Sequence, residues 1–337
     1  MGDMDKDGDL DVFVATLADA KSYGVPQTSY LLVNDGKANF KVARNDVIDL
    51  KDIGMVTSAG FADINSDGWQ DIVVAGEWMP LTIFTNNNGR FNRKEVGNST
   101  GMWQTLFFDD VNDDGKVDFL AGNWGWNNKF WSGKNGPIRL YVSDYDLNGQ
   151  MDQLLSYTVD GKEYPFLAKD EVERPLPLLR KHYLKYAEYA GVVMKDVFYG
   201  WIDTIKPLMA ERLGSVVAIN DGNGNFTLKD LPADLQLAPV LSFEKLVSEG
   251  GKNYYVAGGN FLDVIPYEGQ YDAQPLTAFA IGNNSTKVFP PSSVPFFKGQ
   301  VRDLKWINTK NEKLLAVAAN NDSLRLMKLD TTILSHQ

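Results

Sequence analysis

An acidic loop recurs four times in the first half of this chain, and its internal spacing limits what the chain can become. Asp or Asn stands at positions 1, 3, 5 and 9, and Gly at position 6. The copies carry Asp3, Asp5, Asp7, Gly8 and Asp11; Asp63, Asn65, Asp67, Gly68 and Asp71; Asp110, Asn112, Asp114, Gly115 and Asp118; and Asp144, Asp146, Asn148, Gly149 and Asp152. Oxygen ligands at every second residue, with a Gly at the sharp turn between them, are what a hard cation of calcium size needs from one short loop. Position 7, where such a loop supplies its backbone carbonyl, is filled by Asp9, Trp69, Lys116 and Gln150. The reading is about four Ca²⁺ ions, each with a structural role.

An EF-hand would place a helix on each side and a bidentate Glu at position 12. Position 12 here is Val14, Val74, Ala121 and Leu155, none of which can bind a metal. The flanks are short runs of β-formers, such as Thr105–Phe108 before the third loop and Val117–Leu120 after it. Each loop therefore reads as the turn of a β-hairpin. Asp, Asn and Gly also suit ordinary turns, so a single copy would carry little weight; four complete ones favour the metal.

The repeat is wider than the loop. A strand follows each of the first three copies and ends in small and polar residues, at Val12–Thr16, Ile72–Glu77 and Phe119–Asn123. The same ending returns without a metal loop at Tyr255–Asn260 and Leu315–Asn320. A second hairpin around an Asn/Asp-Gly turn appears at Leu31–Phe40, Ile83–Phe91 and Val217–Phe226. Four antiparallel strands per unit, with loop starts separated by 60, 47 and 34 residues, is the arithmetic of propeller blades. Six units open near residues 3, 55, 102, 137, 238 and 300, and a seventh would be completed by sequence N-terminal to this chain or by strands shared between the first and last. The fifth and sixth units keep their strands but lose the ligands around Ser248–Lys252 and Asn308–Glu312, and no calcium is expected there.

The Asp-x-Asp/Asn-x-Asp/Asn-Gly-x-x-Asp loops, combined with Asn-Asp-Gly-x-Gly-Asn-Phe hairpins, resemble the FG-GAP or VCBS repeats of integrin-α-type β-propellers. More narrowly, Ala121–Phe130, the Asp144 loop, the Tyr164–Phe198 insertion, Gly258–Phe261 and Gly269–Asp272 resemble the propeller portion of large exported VCBS-repeat proteins of Bacteroidetes type. The resemblance implies an all-β propeller of about six or seven four-stranded blades, calcium in the hairpin loops, and a single domain over residues 1–337 with a helical insertion at about 165–212.

Composition agrees with a globular chain: 337 residues, 44% hydrophobic and 12% aromatic, supply a large core. A net charge of −11 argues against nucleic acid and anionic membrane as partners. Four Ca²⁺ ions would cancel eight of those eleven charges. No cysteine is present, which excludes disulfides and thiolate metal sites. No run approaches the roughly 18 apolar residues of a membrane span. Because Met1-Gly2 stands where the other copies have a full strand, the natural product is expected to be longer, with any export signal and further domains outside this chain. The expected location is extracellular, at the cell surface or in the periplasm.

One stretch departs from the β pattern. From Asp170 to Phe198, apolar residues including Leu178, Leu179, Tyr183, Tyr186, Ala187, Ala190, Val193, Met194 and Val197 recur at spacings of three and four, which predicts an amphipathic helix entered after Pro175 and Pro177. It is placed between the second strand of the fourth unit, Gln153–Val159, and a third at Ser215–Asn220. The helix would lie apolar side down, or serve as a lid or partner dock.

In an up-and-down unit the metal loop joins strands 1 and 2 at one end, so the next connection emerges at the other. That second face collects Glu77, Trp78, Asn123, Trp124, Trp126, Asn127, Asn260, Phe261, Asp263, Tyr267, Tyr271, Asp272, Asn320, Asn321 and Asp322. Rings beside amides and carboxylates suit a glycan or an extracellular protein ligand; the same rings also serve as wedges between blades, and Asn with Gly as turns. Catalysis has little support. Only His182 and His336 are present, one in the helical stretch and one beside the C-terminus, and no phosphate loop or His-Glu-x-x-His occurs. The expectation is a binding or adhesion module; the alternative, on abundant paired carboxylates, is a glycosidase or polysaccharide lyase.

Overall fold

β-Branched runs bounded by the Gly-bearing loops pair into hairpins, and the hairpins into six antiparallel sheets of three to five strands. The computed structural model describes residues 1–131, 136–174, 176–247, 253–264, 269–282, 285–310 and 312–329. The first sheet holds β1 (Val12–Val14), β2 (Tyr30–Asn34) and β3 (Phe40–Val42). The second holds β4 (Met55–Ala62), β5 (Asp71–Met79), β6 (Thr82–Asn86), β7 (Phe91–Glu95) and the short β8 (Gly101–Met102). The third opens with β9 (Thr105–Asp109) and β10 (Asp118–Gly122), and then the chain leaves it.

The excursion builds the fourth sheet from β11 (Ile138–Ser143), β12 (Asp152–Val159), β13 (Lys162–Pro165) and β14 (Leu208–Ala210). Only afterwards do β15 (Val216–Asn220) and β16 (Phe226–Asp230) complete the third sheet, with Ala121 opposite Val216 and Phe119 opposite Ala218. The fourth unit is thus an insertion between the second and third strands of the third. The Ser215–Asn220 strand expected in the fourth unit belongs to the third instead, because its alternating Val216, Val217 and Ala218 complete the core around Phe119 and Leu120. The fifth sheet holds β17 (Val240–Val247), β18 (Asn253–Gly259), β19 (Thr277–Ile281) and β20 (Thr286–Val288); the sixth holds β21 (Val301–Asn308), β22 (Lys313–Ala319) and β23 (Arg325–Met327).

Period-2 alternation places each central strand between two neighbouring sheets. On β5, Ile72 and Val74 face the first sheet, in a cluster with Leu31 and Phe84, while Val73 and Ala75 face the third, with Trp103, Phe119 and Val216. On β10, Leu120 turns toward the fifth sheet, with Phe243, Tyr255 and Phe279. On β18, Val256 turns toward the sixth, with Leu304, Leu315 and Val317. Each such aliphatic side chain contributes about 1.5–3 kcal/mol on burial. The sheets therefore pack in the order first, second, third, fifth, sixth, with β4, β9, β17 and β21 touching in succession.

The fourth sheet stands off this row. Its Ile138, Leu140 and Ala210, with Leu213 just past β14, cover Met55, Trp78 and Met102 at one end of the second sheet. The predicted amphipathic helix is a string of single turns, at Lys169–Val172, Pro177–Lys181, Tyr186–Tyr189 and Met194–Val197. Gly191, with a positive φ of 75°, separates the last two turns, and Gly200, at 77°, follows the last. Leu179, Met194, Val197 and Phe198 still bury against Tyr141 and Leu154, whereas Tyr186, Ala187 and Ala190 are exposed. Pro175 and the side chain of Leu178 lie outside the described residues. Among the described residues no helix is long and apolar enough to cross a membrane.

Candidate metal centre

The four loops share one backbone. Position 4 is left-handed in all of them, at Lys6, Ser66, Asp113 and Leu147 with φ of 62°, 58°, 57° and 59°, and so is the position-6 Gly, at 81–93°. A left-handed non-Gly residue costs roughly 1–2 kcal/mol, so the same strain in four unrelated side chains marks a geometry that the loop enforces. Local hydrogen bonds hold it. Asp63 Oδ1 accepts the N–H of Asp67 at 3.1 Å and its Oδ2 that of Gly68 at 2.8 Å; Asp110 and Asp144 receive the equivalent pair. In the first loop Asp3 accepts the Gly8 N–H at 3.2 Å.

The position-9 carboxylates are buried at Asp11, Asp71 and Asp118, and they fasten the loop to the sheet. One oxygen accepts the N–H of position 2, from Met4, Ile64 or Val111, at 2.8, 3.0 and 3.3 Å. The other accepts the N–H of an Asn at the end of β2, β6 or β15, namely Asn34, Asn86 or Asn220, at 2.9, 2.7 and 2.8 Å. In the inserted sheet Asp152 accepts the Tyr145 N–H at 3.1 Å.

These residues fit a calcium-sized ion. Carboxylate oxygens of Asp3, Asp5 and Asp11 lie within 4.8 Å of one another, as do those of Asp144, Asp146 and Asp152. Asp3 Oδ1 is buried with no hydrogen-bond donor, an acceptor left for a cation. Burial, followed by the charges of Asp7 and Asp11, raises the Asp5 carboxyl above its usual range; burial first, with the charges of the neighbouring loop aspartates after it, pushes Asp71 up to about 6 and also raises Asp118 and Asp152. Each of these shifts records a carboxylate short of positive charge. Asn65 and Asn112 replace the position-3 carboxylate in the second and third loops, where each amide donates to the position-5 Asp, at 2.9 and 3.3 Å. An ion held there would be ligated by the oxygens of positions 1, 3 and 5, the position-7 carbonyl and position 9, all hard donors.

A family model described as FG-GAP-like repeat matches residues 3–74 and 63–121. Residues 3–121 are thus similar to FG-GAP-like repeats. They contain the first three loops and end where the insertion begins. No curated protein matches the chain. Among solved structures, the crystal structure of the V. cholerae biofilm matrix protein Bap1 aligns at 10% identity over 91% of this chain and 68% of that one, with a TM-score of 0.31.

At the strand ends away from the FG-GAP loops, the residues expected to form a ligand face fall into separate groups. Glu77 accepts hydrogen bonds from Tyr23 Oη at 2.6 Å and from Gln104 Nε2 at 2.9 Å, and buried Trp78 donates to Tyr23 Oη at 2.9 Å. This network sits under the fourth sheet. Asn123 and Asn260 are fully buried and spend their amides on backbone carbonyls, of Arg212, and of Gln274 and Gly299. Trp124 packs against Phe261, Tyr271 and Phe130, with ring centroids 5.5, 5.5 and 6.1 Å away. Trp126 lies over Gly214, where a Cβ would come within 2.8 Å of its Nε1. Exposed Asn127 donates to the Leu237 carbonyl, Asp263 accepts from Asn320 at 3.2 Å, Asp272 pairs with Lys298 at 2.8 Å, and Asp322 pairs with Arg325 at 3.1 Å. Asn321 is an exposed left-handed residue with φ of 55°. Tyr267, His336 and residues 248–252 lie outside the described residues.

In the sequence alone, Asn86 and Asn220 read as turn residues only. Their signal was the first Asn of Asn-Asn-Asn-Gly and Asn-Asp-Gly, which sits one step before the turn and inside the ladder.

Proposed function

We propose that this chain is a calcium-stabilised β-propeller serving as an extracellular or periplasmic binding and adhesion module. The observation that carries it is the common geometry of the four loops. Four carboxylate-rich turns share the same strained backbone, and convergent oxygens without a cation repel one another unless a divalent ion offsets them. The serial packing of sheets through β4, β9, β17 and β21 supports the propeller reading. Its ligand is a glycan or an extracellular protein, met at the strand ends opposite the loops, where the inserted sheet covers the Trp78 side and leaves the half-buried Trp124, Phe261 and Tyr271 group as the rim. Loops of this kind fill at roughly 10⁻⁴ to 10⁻³ M calcium, a level that outside a cell would keep them occupied.

The test is a calcium titration of the metal-free protein by calorimetry and melting temperature, with magnesium as control. About four sites and a large rise in melting temperature are expected; no binding at millimolar calcium would overturn the reading. Glycan and protein arrays then separate the ligand classes, and release of new reducing or unsaturated ends would mark an enzyme instead.

A further inference from the structure

Asn86 and Asn220 do more than close their hairpins, because each reaches back into the preceding sheet. Asn86 Nδ2 donates to the Met4 carbonyl in the first loop at 2.8 Å, while its backbone N–H is held by Asp71 of the second loop at 2.7 Å. Asn220 Nδ2 donates to the Ile64 carbonyl in the second loop at 2.7 Å, while its N–H is held by Asp118 of the third at 2.8 Å. Both Asn residues are buried, at 0% and 2% exposure, so water does not compete for these bonds. The carbonyl they seize belongs to position 2, between the ligands at positions 1 and 3. The N–H of that same residue binds the position-9 carboxylate of its own loop. Any adjustment of ligands 1, 3 and 9 around an ion therefore moves the peptide that the next sheet's Asn grips.

The series ends where the ligands end. In the fifth sheet Phe279 pairs with Tyr255 as Phe84 pairs with Ile72 and Ala218 with Phe119, so Tyr254 stands in the place of the Asp and Ile281 in the place of the Asn. In the fourth sheet a two-residue turn at Asp160-Gly161 joins β12 to β13, and among the described residues no Asn answers Asp152. Side-chain contact reinforces the first link: Lys6 Nζ of the first loop lies 4.2 Å from the centroid of Trp69 in the second.

We propose that the first three loops form one coupled calcium-binding unit, linked through Asn86 and Asn220, and that the Asp144 loop binds independently of it. This rests on the calcium reading above. Filling one loop fixes the position-2 peptide and so pre-orders the Asn that holds the position-9 Asp of the next; by linkage the effect runs equally in both directions.

The test uses Tb³⁺ as a calcium-sized luminescent probe on the whole chain. Excitation through Trp69 reports the second loop, identified as the signal lost in Asp67→Ala. Disabling the first loop by Asp5→Ala is expected to weaken Tb³⁺ binding at the second by about fivefold or more. In an Asn86→Ala background the same change should shift it less than about twofold, and Asp146→Ala should shift it in neither background. Should Asn86→Ala not fold, the cycle of Asp114→Ala with Asn220→Ala asks the same question of the third loop on the same signal. Unchanged affinity at the second loop after Asp5→Ala, or a dependence that survives Asn86→Ala, overturns the coupling while leaving calcium binding intact. Absence of Tb³⁺ and Ca²⁺ binding in the unmodified chain overturns both.

Discussion

Asp118 Oδ1 accepts the backbone N–H of Asn220 at 2.8 Å across 102 positions of sequence, and the whole fourth sheet lies between them. The neck of that insertion is closed by the Asn123 N–H on Ser215 Oγ at 3.0 Å and by Asn123 Nδ2 on the Arg212 carbonyl. Strands β10 and β15 are therefore adjacent without it and need only a short hairpin turn. Replacing residues 124–213 by a two-residue turn is expected to preserve cooperative unfolding and remove one calcium site. Melting temperature should fall and apolar-dye binding rise, because Met55, Trp78 and Met102 lose their cover. Non-cooperative unfolding would show that the third sheet needs the insertion to form.

Two aspartates of one loop should behave differently. Asp67 is exposed and Asp71 is fully buried, holding the N–H groups of Ile64 and Asn86. Asp67→Ala is expected to leave the metal-free melting temperature within about 2 °C and to remove the calcium-dependent gain at that loop. Asp71→Ala strands two buried donors and is expected to cost on the order of 3 kcal/mol with or without calcium. Equal effects from the two substitutions in metal-free buffer would contradict the division of labour.

Burial pushes the Asp71 carboxyl up to about 6 from an ordinary 3.8. The folded chain then holds this proton more tightly than the unfolded one, so in that window the native state carries more protons. Stability of the metal-free protein should decline as pH rises from about 4 to about 6 and level off above. Calcium binding requires the carboxylate ionised, so its affinity should rise over the same window. Melting temperatures at about pH 4.5 and about pH 7, with and without calcium, should reverse in order; a metal-free protein that gains stability through this interval would show that Asp71 is not held protonated.

Local and long-range features were unequally readable from the chain. The loops were plain, because ligand spacing and the Gly at position 6 are consecutive in sequence. The six strand groups were also plain, since continuous apolar runs such as Ile72–Val74 need both faces buried. What the chain concealed was partnership. Val216–Asn220 carries the same hairpin signal wherever it docks, and only the core around Phe119 and Leu120 assigns it to the third sheet. The apolar spacing of residues 170–198 identified side chains that do bury, yet spacing does not register the left-handed Gly191 that separates the last two turns. Asn123 and Asn260 looked like ligand-face amides because nothing local shows that the carbonyls of Arg212, Gln274 and Gly299 already consume them.

The fourth loop separates backbone strain from metal binding. Leu147 is 87% exposed, so its φ of 59° owes nothing to side-chain packing. Gly149 has φ of 85° with no atom within 4 Å of a would-be Cβ, so it is glycine for conformation and not for space. Leu147→Gly is then expected to stabilise the protein by up to about 1 kcal/mol, and Gly149→Ala to destabilise it by roughly 1–2 kcal/mol, in thermal unfolding. Because Asp144 already bonds the N–H groups of Asn148 and Gly149, the backbone is set before an ion enters, and both shifts should persist without calcium. A Gly149→Ala penalty seen only with calcium would instead mean that the ion imposes the left-handed turn.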